Sequence, residues 1–379
     1  MKVLITGASG FIGKNLCSTL EQDERYKLLK VTLETTAAEL AEYLQECDFI
    51  FHLAGVNRPK TEKEFFEGNA DFTAQITQNL IKYNRHNKKQ VPVVFTSSIQ
   101  AERDNPYGLS KKQGEEALIE YGKTTGAPVY IYRFTNIYGK WSQPNYNTVV
   151  ATFCHNIARD LPIQVNNADA DLVLCYIDDV VEEFLKVLEG NPTLEGGQCI
   201  VPVTHCIKLG ALADTIRRFK ESRGNLSVAD MSNQLEKNLY STYLSFLPEG
   251  DFSYSLKMNI DDRGSFTEIM RTPDRGQMSV NVSKPGITKG NHWHNSKNEK
   301  FLVVSGTGVI RFREIGKSEV MEYHVSGNKF EVVDIPTGYT HNIENLGDTD
   351  LVTFMWVNEC FNPEKPDTFY GGIKECKKK

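Results

Sequence analysis

Short apolar runs alternate with amphipathic segments along the first half of the chain. Runs rich in β-branched and aromatic residues predict buried strands, and apolar residues at helical spacing predict the helices between them. The predicted strands are 3–6, 28–33, 48–53, 91–95 and 129–132, and the predicted helices are 12–20, 37–44, 65–83 and 110–121. This alternation predicts an α/β fold, a doubly wound parallel sheet with helices on both faces.

The pattern changes after about residue 256. Strand-like runs follow one another at 278–282, 301–304, 309–312, 330–335 and 351–357, separated by Gly and Pro turns, and no long helical period appears. Closely spaced strands of this kind predict an all-β barrel or sandwich. Residues 233–248 are expected to form a helix and then a linker. We therefore predict two domains, 1–246 and 247–379, with the boundary near Phe246.

The composition is that of a globular protein without a nucleic-acid footprint. The chain has 379 residues, of which 40% are hydrophobic and 24% charged, and its formal net charge is −6. Lys377, Lys378 and Lys379 are interpreted as a solvated tail. No segment resembles a secretory signal or a membrane span, and scattered cysteines without a Cys-x-x-Cys pair are typical of reduced thiols, so a cytoplasmic protein is expected. The cysteines are Cys17, Cys47, Cys154, Cys175, Cys199, Cys206, Cys360 and Cys376.

A glycine-rich turn directly follows the first predicted strand. Glycine permits a tight turn and a close backbone approach, and the N-terminus of the following helix presents free amides to a pyrophosphate. The turn therefore predicts a bound dinucleotide. Glu34, after the second strand, favours NAD through the ribose hydroxyls, while Arg58 is either a ligand of a 2′-phosphate or a surface residue. The turn comprises Gly7, Ala8, Ser9, Gly10, Phe11, Ile12 and Gly13.

Ser98, Tyr107 and Lys111 lie near the end of the fourth predicted strand and the start of the next helix. Ligands gather at the carboxyl ends of parallel strands. A lysine one turn from a tyrosine is expected to lower the pKa of the phenol from about 10. The phenol then gives its proton to a carbonyl oxygen while a hydride reaches the carbon, and the serine hydroxyl holds the same oxygen. Ser97 and Ser98 both end that strand; the resemblance to the extended short-chain dehydrogenase/reductase family assigns the serine role to Ser98, with Ser97 as the alternative.

These residues resemble the extended short-chain dehydrogenase/reductase family over about residues 1–240. Further landmarks are Asn69 and the segments 53–55, 133–139 and 176–180. The interval from Ser98 to Tyr107 is shorter than is usual in the extended family. This difference affects the loop between the two residues and not their chemistry. The resemblance implies a Rossmann fold in which the cofactor is bound by Gly7, Ser9, Gly10, Phe11, Ile12, Gly13, Leu53, Ala54, Gly55, Tyr107 and Lys111.

A pattern of metal ligands lies in the second half of the chain. His292 and His294, at i and i+2, share one face of a strand, and Glu299 and His341 are expected to converge on them from neighbouring strands. Four nitrogen and oxygen ligands suit zinc, manganese, nickel or iron. The pattern resembles the cupin superfamily over about residues 250–370, which implies a jelly-roll barrel. Its remaining landmarks are Gly286, Gly306, Pro336, Gly338 and Asn345.

Two segments, 261–266 and 279–292, resemble the dTDP-4-keto-deoxysugar epimerases. In those enzymes the residue that matches His292 removes a proton next to the sugar ketone. A metal-bound imidazole nitrogen is not free for that task, and residues 354–356 lack the tyrosine that serves as the acid in that family. The base and the acid therefore stay open, with Tyr339 and Lys300 as candidates.

The two halves together resemble the bifunctional capsular-polysaccharide enzymes of the UDP-N-acetyl-L-fucosamine pathway, most strongly at 57–59, 105–108, 139–141 and 240–244. The resemblance implies that the cupin domain epimerises carbon 3 of UDP-2-acetamido-2,6-dideoxy-β-L-arabino-hexos-4-ulose. The reductase domain would then reduce the 4-ketone to UDP-2-acetamido-2,6-dideoxy-L-talose, for capsule or O-antigen synthesis.

The same resemblance implies NADPH, with NADH as the alternative, and a zinc ion, with another divalent transition metal as the alternative. It also implies a homodimer. From the composition, neither nucleic acid nor a membrane is expected as a partner. Three other functions stay open. In the first, the chain is a simple reductase and its cupin is a structural or dimerising module. In the second it is a 4,6-dehydratase or 4-epimerase with tightly held NAD, and in the third it is a cupin oxygenase.

Overall fold

The computed structural model describes residues 1–87, 89–146 and 148–373, so Cys376 and the three terminal lysines lie outside the described residues. The chain divides into two compact units. The first comprises Met1–Arg217 and Met231–Glu249, and the second comprises Arg218–Asp230 and the chain from Gly250 onward. Residues 218–230 thus leave the first unit and the following helix returns to it, while the single boundary near Phe246 stays a prediction.

Strands and helices alternate in the first unit, as the sequence predicts. The strands are β1 (Lys2–Thr6), β2 (Lys27–Val31), β3 (Phe49–His52), β4 (Val93–Ser98), β5 (Val129–Phe134), β6 (Asn136–Tyr138), β7 (Asp171–Tyr176), β8 (Leu194–Glu195), β9 (Gln198–Cys199) and β10 (His205–Lys208). The helices are α1 (Phe11–Leu20), α2 (Ala37–Glu46), α3 (Glu62–Phe65), α4 (Phe72–Asn87), α5 (Pro106–Thr125), α6 (Val149–Ala158), α7 (Ile177–Leu188), α8 (Leu209–Asn225) and α9 (Gln234–Ser245). Short 3₁₀ turns lie at Ile99–Glu102 and Glu249–Asp251.

The main sheet has the order β2-β1-β3-β4-β5-β9-β8 and is parallel from β2 to β9. Successive side chains of a strand point to opposite faces, so Val3 and Ile5 pack beneath α1 and α7, whereas Leu4 packs beneath α2, α4 and α5. A smaller sheet has the order β10-β7-β6. The predicted doubly wound sheet is confirmed, because both faces of its strands are covered by helices.

Two helices differ from the sequence prediction in a way that matters for the site. The helix expected at 65–83 is observed as α3, a π-helical turn at Phe66–Asp71 and α4. The helix expected at 110–121 begins four residues earlier, at Pro106, because Asn105 caps it and proline suits the first helical position. Tyr107 and Lys111 therefore lie one turn apart on the same helix.

The second unit is an antiparallel barrel of two facing sheets, which confirms the predicted all-β architecture. The strands are β11 (Met258–Asp261), β12 (Gly264–Thr272), β13 (Gly276–Ser283), β14 (Thr288–Trp293), β15 (Glu299–Ser305), β16 (Thr307–Glu314), β17 (Val320–Ser326), β18 (Val332–Ile335), β19 (Tyr339–Asn345), β20 (Leu351–Val357) and β21 (Phe369–Tyr370). Their orders are β11-β12-β13-β20-β15-β18 and β17-β16-β19-β14-β21.

Alternation along each strand of the barrel places apolar side chains between the two sheets. Phe301 and Val303 of one sheet pack against Ile310 and Phe312 of the other, and all four are buried. This apolar cluster supports the neighbouring polar strand ends, where the predicted metal ligands lie. Among the described residues, no helix is long and apolar enough to cross a membrane.

Candidate active sites

The glycine-rich turn joins β1 to α1 at the carboxyl edge of the main sheet. Gly7 has φ +67°, and a side chain there would meet the backbone of Ala54 at 2.9 Å. A side chain on Gly13 would lie 2.1 Å from the carbonyl oxygen of Gly7. Both positions therefore require glycine. Gly10 is the residue before α1, so the free amides of the first helical turn point out of the sheet edge.

A cleft of about 520 Å³ lies beside this turn. Seven of the predicted cofactor and catalytic residues line it, whereas Gly7, Ser9, Gly10 and Gly13 form the turn itself and Ala54 packs against that turn. Polar residues that the sequence analysis did not assign to the cleft also line it, including Asn57, Gln100 and Asn136. The predicted residues in its wall, with Ser98, are Phe11, Ile12, Leu53, Gly55, Tyr107 and Lys111.

Ser98, Tyr107 and Lys111 meet in this cleft because β4 ends at Ser98 and α5 begins at Pro106. The short interval between them contains the 3₁₀ turn Ile99–Glu102, in which the Gln100 amide donates to the Ser98 hydroxyl at 3.2 Å. The neighbouring Ser97 instead donates its hydroxyl to the Glu115 carboxylate at 2.5 Å. Ser98 thus faces Tyr107 in the cleft, whereas the Ser97 hydroxyl is held by Glu115.

The Lys111 ammonium is fully enclosed and donates to the carbonyl oxygen of Thr96 at 3.0 Å. Burial lowers the pKa of Lys111 to about 8, although Glu115, one turn further along α5, opposes this shift. Burial also raises the pKa of the Tyr107 phenol, and the Ser98 side chain only partly offsets it. The expected lowering of this pKa by Lys111 stays a prediction.

Asn69 connects the loop after β3 to helix α5. It lies in the π-helical turn, where its side-chain oxygen accepts from the Val56 amide at 2.9 Å. Its side-chain nitrogen donates to the Val56 carbonyl at 2.8 Å and to the Ser110 hydroxyl at 3.0 Å. The extra residue of a π-turn re-aims the side chains around it. Sequence periodicity alone shows a continuous helix here and conceals this turn.

The residues considered for cofactor preference occupy different places. Glu34 is exposed in the turn after β2. The end of β2 contacts the glycine-rich turn, because the Ala8 amide donates to the Val31 carbonyl at 3.2 Å. Arg58 lines the cleft, and its guanidinium lies over the Tyr146 ring at 5.9 Å.

The four predicted metal ligands converge in the barrel. Each offers one donor atom, and these atoms all lie within 4.8 Å of one another. Among the four, His292 is in β14, His294 follows the end of that strand, and His341 is in the adjacent β19. Glu299 begins β15, the next strand of the chain, which lies in the facing sheet. The barrel closes around the cluster and brings the two sheets together there.

The inner atoms of this cluster are buried without hydrogen-bond partners. Glu299 Oε2 lies 3.2 Å from His341 Nε2 and 3.7 Å from His294 Nε2, yet none of these atoms makes a hydrogen bond. Buried polar atoms are nearly always paired. A divalent cation would satisfy all three atoms at once, and histidine nitrogen with carboxylate oxygen is a suitable donor set for a transition metal.

The outer ring nitrogens of two histidines are fixed by backbone carbonyls. His294 Nδ1 donates to the Asp367 carbonyl at 2.6 Å, and His341 Nδ1 faces the Tyr339 carbonyl at 3.4 Å. Because a carbonyl can only accept, each Nδ1 carries a proton, and Nε2 is the ring nitrogen that faces the cluster. Burial lowers the pKa of His292 to about 4, so its ring is neutral near pH 7.

Asp367 holds the loop that carries His294, and the sequence analysis did not identify it. Its carboxylate accepts from the amides of Asn295, Ser296 and Lys297 at 2.9–3.0 Å. Burial opposes the ionised form, but these amides outweigh it and hold the pKa of Asp367 well below its usual range. The residue lies over seventy positions away in sequence, so no local pattern could reveal it.

A cavity of about 860 Å³ surrounds the cluster. Tyr339 and Lys300, the candidates for acid and base, do not line it. Tyr339 points toward Glu314 with its hydroxyl 3.5 Å from the carboxylate, and the exposed Lys300 pairs with Asp334 outside the barrel. Both candidates were therefore wrong on position. Strand alternation turns Lys300 away from the interior, whereas Tyr339 shares the face of His341 but packs against the apolar core beside Glu314, outside the cavity wall. The charged residues that do line the cavity, besides Glu299, are Asp261, Arg263, Glu268, Lys289, Lys297 and Glu359.

Two family descriptions match the chain in the expected order. Residues 3–200 match the NAD dependent epimerase/dehydratase family, and residues 259–369 match the polysaccharide biosynthesis C-terminal domain. The chain is 46% identical over 375 residues to the UDP-2-acetamido-2,6-beta-L-arabino-hexul-4-ose reductase of Pseudomonas aeruginosa, covering 99% of this chain and 100% of the relative.

Solved structures of one protein resemble the whole chain. The capsular polysaccharide assembling protein CapF from Staphylococcus aureus has a TM-score of 0.93 and 55% identity, covering 98% of this chain and 100% of its own. A structure of CapF with the inhibitor 3-isopropenyl-tropolone has a TM-score of 0.89 and 50% identity over the same shares. Together with the glycine-rich turn and the Ser98–Tyr107–Lys111 cleft, these matches imply a nicotinamide cofactor. The chain belongs to the NAD dependent epimerase/dehydratase family, as a member that also carries a polysaccharide biosynthesis C-terminal domain.

Proposed function

We propose that the chain is a bifunctional nucleotide-sugar enzyme. Its barrel epimerises carbon 3 of UDP-2-acetamido-2,6-dideoxy-β-L-arabino-hexos-4-ulose, and its first domain reduces the 4-ketone to UDP-2-acetamido-2,6-dideoxy-L-talose. The observation that carries the proposal is the presence of two separately built polar cavities, one in each unit. The full-length similarity to a reductase named for a UDP-4-keto sugar supplies the substrate class.

In the first domain, Tyr107 gives its proton to the ketone oxygen while Ser98 donates a hydrogen bond to the same oxygen. Lys111 supplies positive charge one turn away, which favours the tyrosinate that remains. The glycine-rich turn and the first amides of α1 hold the pyrophosphate. When bound, the nicotinamide cofactor supplies the hydride. Ser98 is chosen over Ser97 because the Ser97 hydroxyl is already engaged by Glu115.

The cofactor we propose is NADPH, on the basis of the resemblance to the bifunctional capsular-polysaccharide enzymes. NADH is the alternative, because the exposed Glu34 after β2 is suited to free ribose hydroxyls. We propose that residues 1–246 catalyse the reduction and residues 247–379 the epimerisation. The resemblance to the bifunctional capsular-polysaccharide enzymes is also the basis on which we propose a homodimer.

The barrel cluster is proposed to hold zinc through His292, His294, Glu299 and His341. Neutral imidazoles and an ionised carboxylate are the forms that bind a metal, and the unpartnered Nε2 and Oε2 atoms support such an occupant. A tropolone carries adjacent carbonyl and hydroxyl oxygens, an arrangement that chelates metal ions, and the related CapF is inhibited by one. When bound, the metal supplies positive charge in the cavity, and another divalent transition metal is the alternative.

The chemistry of the barrel follows from the ketone. A carbonyl at carbon 4 acidifies the hydrogen on carbon 3, because the carbanion is delocalised onto the oxygen as an enolate. Removal of that proton and its return on the other face inverts carbon 3. This reaction needs polar groups around the sugar and a charge near the ketone oxygen. The wall of the barrel cavity contains polar and charged residues of both kinds.

A proton NMR time course of the UDP-4-keto sugar in deuterated water tests the proposal. With enzyme alone, the carbon 3 proton signal is expected to disappear, and addition of NADPH is expected to give the talo product. Reduction without any exchange would leave a simple reductase with a structural or dimerising barrel. If neither exchange nor reduction is observed, the proposed function is refuted.

A further inference from the structure

Lys289 is one of the cationic residues that line the barrel cavity. Its side chain starts on β14 and crosses the interior to β13 in the facing sheet. There the ammonium donates to the Val282 carbonyl at 2.8 Å and to the Asn281 side-chain oxygen at 2.9 Å, with the Ser265 carbonyl at 3.4 Å. All three hydrogen-bond partners are neutral. The Asp261 carboxylate attracts this lysine electrostatically but forms its ion pair with Arg263.

A β-bulge turns Lys289 toward the same interior as the metal cluster. Residues at i and i+3 of a regular strand point to opposite faces. In β14, however, Lys289 pairs with Ile343 and His292 pairs with His341, so three steps on β14 match two on β19. The extra residue is Asn291, which has φ +60° and accepts from the Asn342 side chain at 2.9 Å. Bulges that re-aim a side chain are common beside active sites.

We propose that Lys289 is a catalytic residue of the carbon 3 exchange, an inference that rests on the proposed function. Its ammonium pairs with the ketone oxygen as negative charge develops there. A partly buried ammonium whose partners are all neutral keeps its full charge for such an anion. Asn281 is a positioning residue, because its side-chain nitrogen donates to Ser283 at 3.2 Å and so turns its oxygen to the lysine.

The step balances without any further reactant. The carbon 3 proton passes to a cavity carboxylate, and the electron pair of that C–H bond becomes the new double bond between carbons 3 and 4. The π pair of the ketone moves to the oxygen beside Lys289. Carbon 3 then takes a proton from water on the opposite face as the ketone re-forms, and the hydroxide left behind takes the proton of the carboxylic acid to give water again. Glu268 is the carboxylate we assign, since besides Glu299 it is the least exposed one in the cavity wall. Arg271 and Gln277 donate to its two oxygens and hold it in place.

Other cations of the cavity are less suited to this role. Arg263 is exposed and its guanidinium is paired with Asp261 at 2.6 Å. Lys297 is buried, but its ammonium donates to the Pro366 carbonyl at 2.5 Å and lies over the Phe361 ring. Lys289 is held by strand β14 of the barrel and reaches across the interior to β13.

The test measures carbon 3 exchange of the UDP-4-keto sugar in deuterated water without NADPH. Lys289→Met is expected to lower kcat for exchange by about 10²–10³-fold, the usual effect of removing one donor to an oxyanion, with KM little changed. Lys289→Arg should restore part of the rate. Asn281→Asp, which places a carboxylate beside the ammonium at nearly constant shape, should also lower kcat because it neutralises the charge.

Lys300→Met is the matched control, since that lysine is exposed and outside the cavity. Zinc content and melting temperature report whether each variant is folded. If wild-type protein shows no exchange, the proposed function fails. If wild-type exchanges and Lys289→Met does so at the same kcat, only this inference fails. It also fails if Lys289→Met raises KM alone, which indicates binding of the diphosphate, or if Lys297→Met loses exchange while Lys289→Met keeps it.

Discussion

Glu299 Oε2 lies 3.2 Å from His341 Nε2, although the two residues belong to opposite sheets of the barrel. Neither atom has a hydrogen-bond partner. Burial disfavours the charged form of Glu299, but the neighbouring His294 and His341 outweigh it and lower the pKa of Glu299 to about 2. An ionised carboxylate is therefore held against two ring nitrogens, an arrangement that suits a bound cation.

Glu299→Gln is expected to reduce zinc binding by at least about 100-fold, because it removes the single anionic ligand. The melting temperature of metal-loaded protein should fall with it, since a ligand present at about 100 times its Kd stabilises the folded state by about 2.7 kcal/mol. Metal content after dialysis and thermal unfolding with and without zinc measure both effects. Glu319→Gln, at an exposed position, is the control. Unchanged metal content in Glu299→Gln would exclude the four-ligand site.

Asp367→Asn is expected to weaken zinc binding without removing any ligand. The carboxylate orders residues 295–297 through three amide hydrogen bonds, and the backbone carbonyl of the same residue holds the His294 ring. An amide cannot accept all of these bonds, so the His294 loop loosens. Loss of an outer contact of this kind costs about 10–100-fold in metal affinity. Competition with a chelator gives the affinity, and an unchanged value would show that the loop is held by other contacts.

Tyr107→Phe is expected to abolish reduction and to leave carbon 3 exchange intact. The substitution removes the proton donor of the first domain, a contribution of about 10²–10⁴-fold, and touches no residue of the barrel. Product formation with NADPH and deuterium incorporation without it are measured on the same preparation. If both activities vanish together, the assignment of the two steps to two sites is wrong.

The rate of reduction is expected to fall as the pH rises through about 8. Burial lowers the pKa of Lys111 to about 8, so its proton, and with it the positive charge beside Tyr107, is lost above that pH in the ligand-free enzyme. The carboxylate of Glu115 opposes the loss, and the nearby His52 is neutral because burial lowers its pKa to about 3.

The pH profile of kcat/KM for reduction measures this effect, since it reports groups of the free enzyme. Lys111→Arg, whose guanidinium stays charged over the whole range, should retain part of the activity and lose the descending limb near pH 8. A limb that persists unchanged in this variant would assign it to another group.

The sequence by itself determined the order and type of the two domains. Strand and helix periods are local properties, so β1, α1 and their successors could be predicted to within a few residues, as could the change to consecutive strands in the second half. The glycine-rich turn, the Tyr107–Lys111 motif and the four metal ligands also follow from local spacing. The family matches confirm the fold, and the structure brings each set of residues together.

Only the tertiary structure decided which side chains share a cavity. Alternation on β15 turns Lys300 away from the interior, and Tyr339 packs on the apolar core beyond the cavity wall, whereas a bulge at Asn291 turns Lys289 into the cavity. The bulge depends on pairing with β19, about fifty residues away in sequence, and the contact of His294 with Asp367 spans more than seventy residues. Such contacts form when distant strands pair and loops pack, and no pattern within a short window of sequence encodes them.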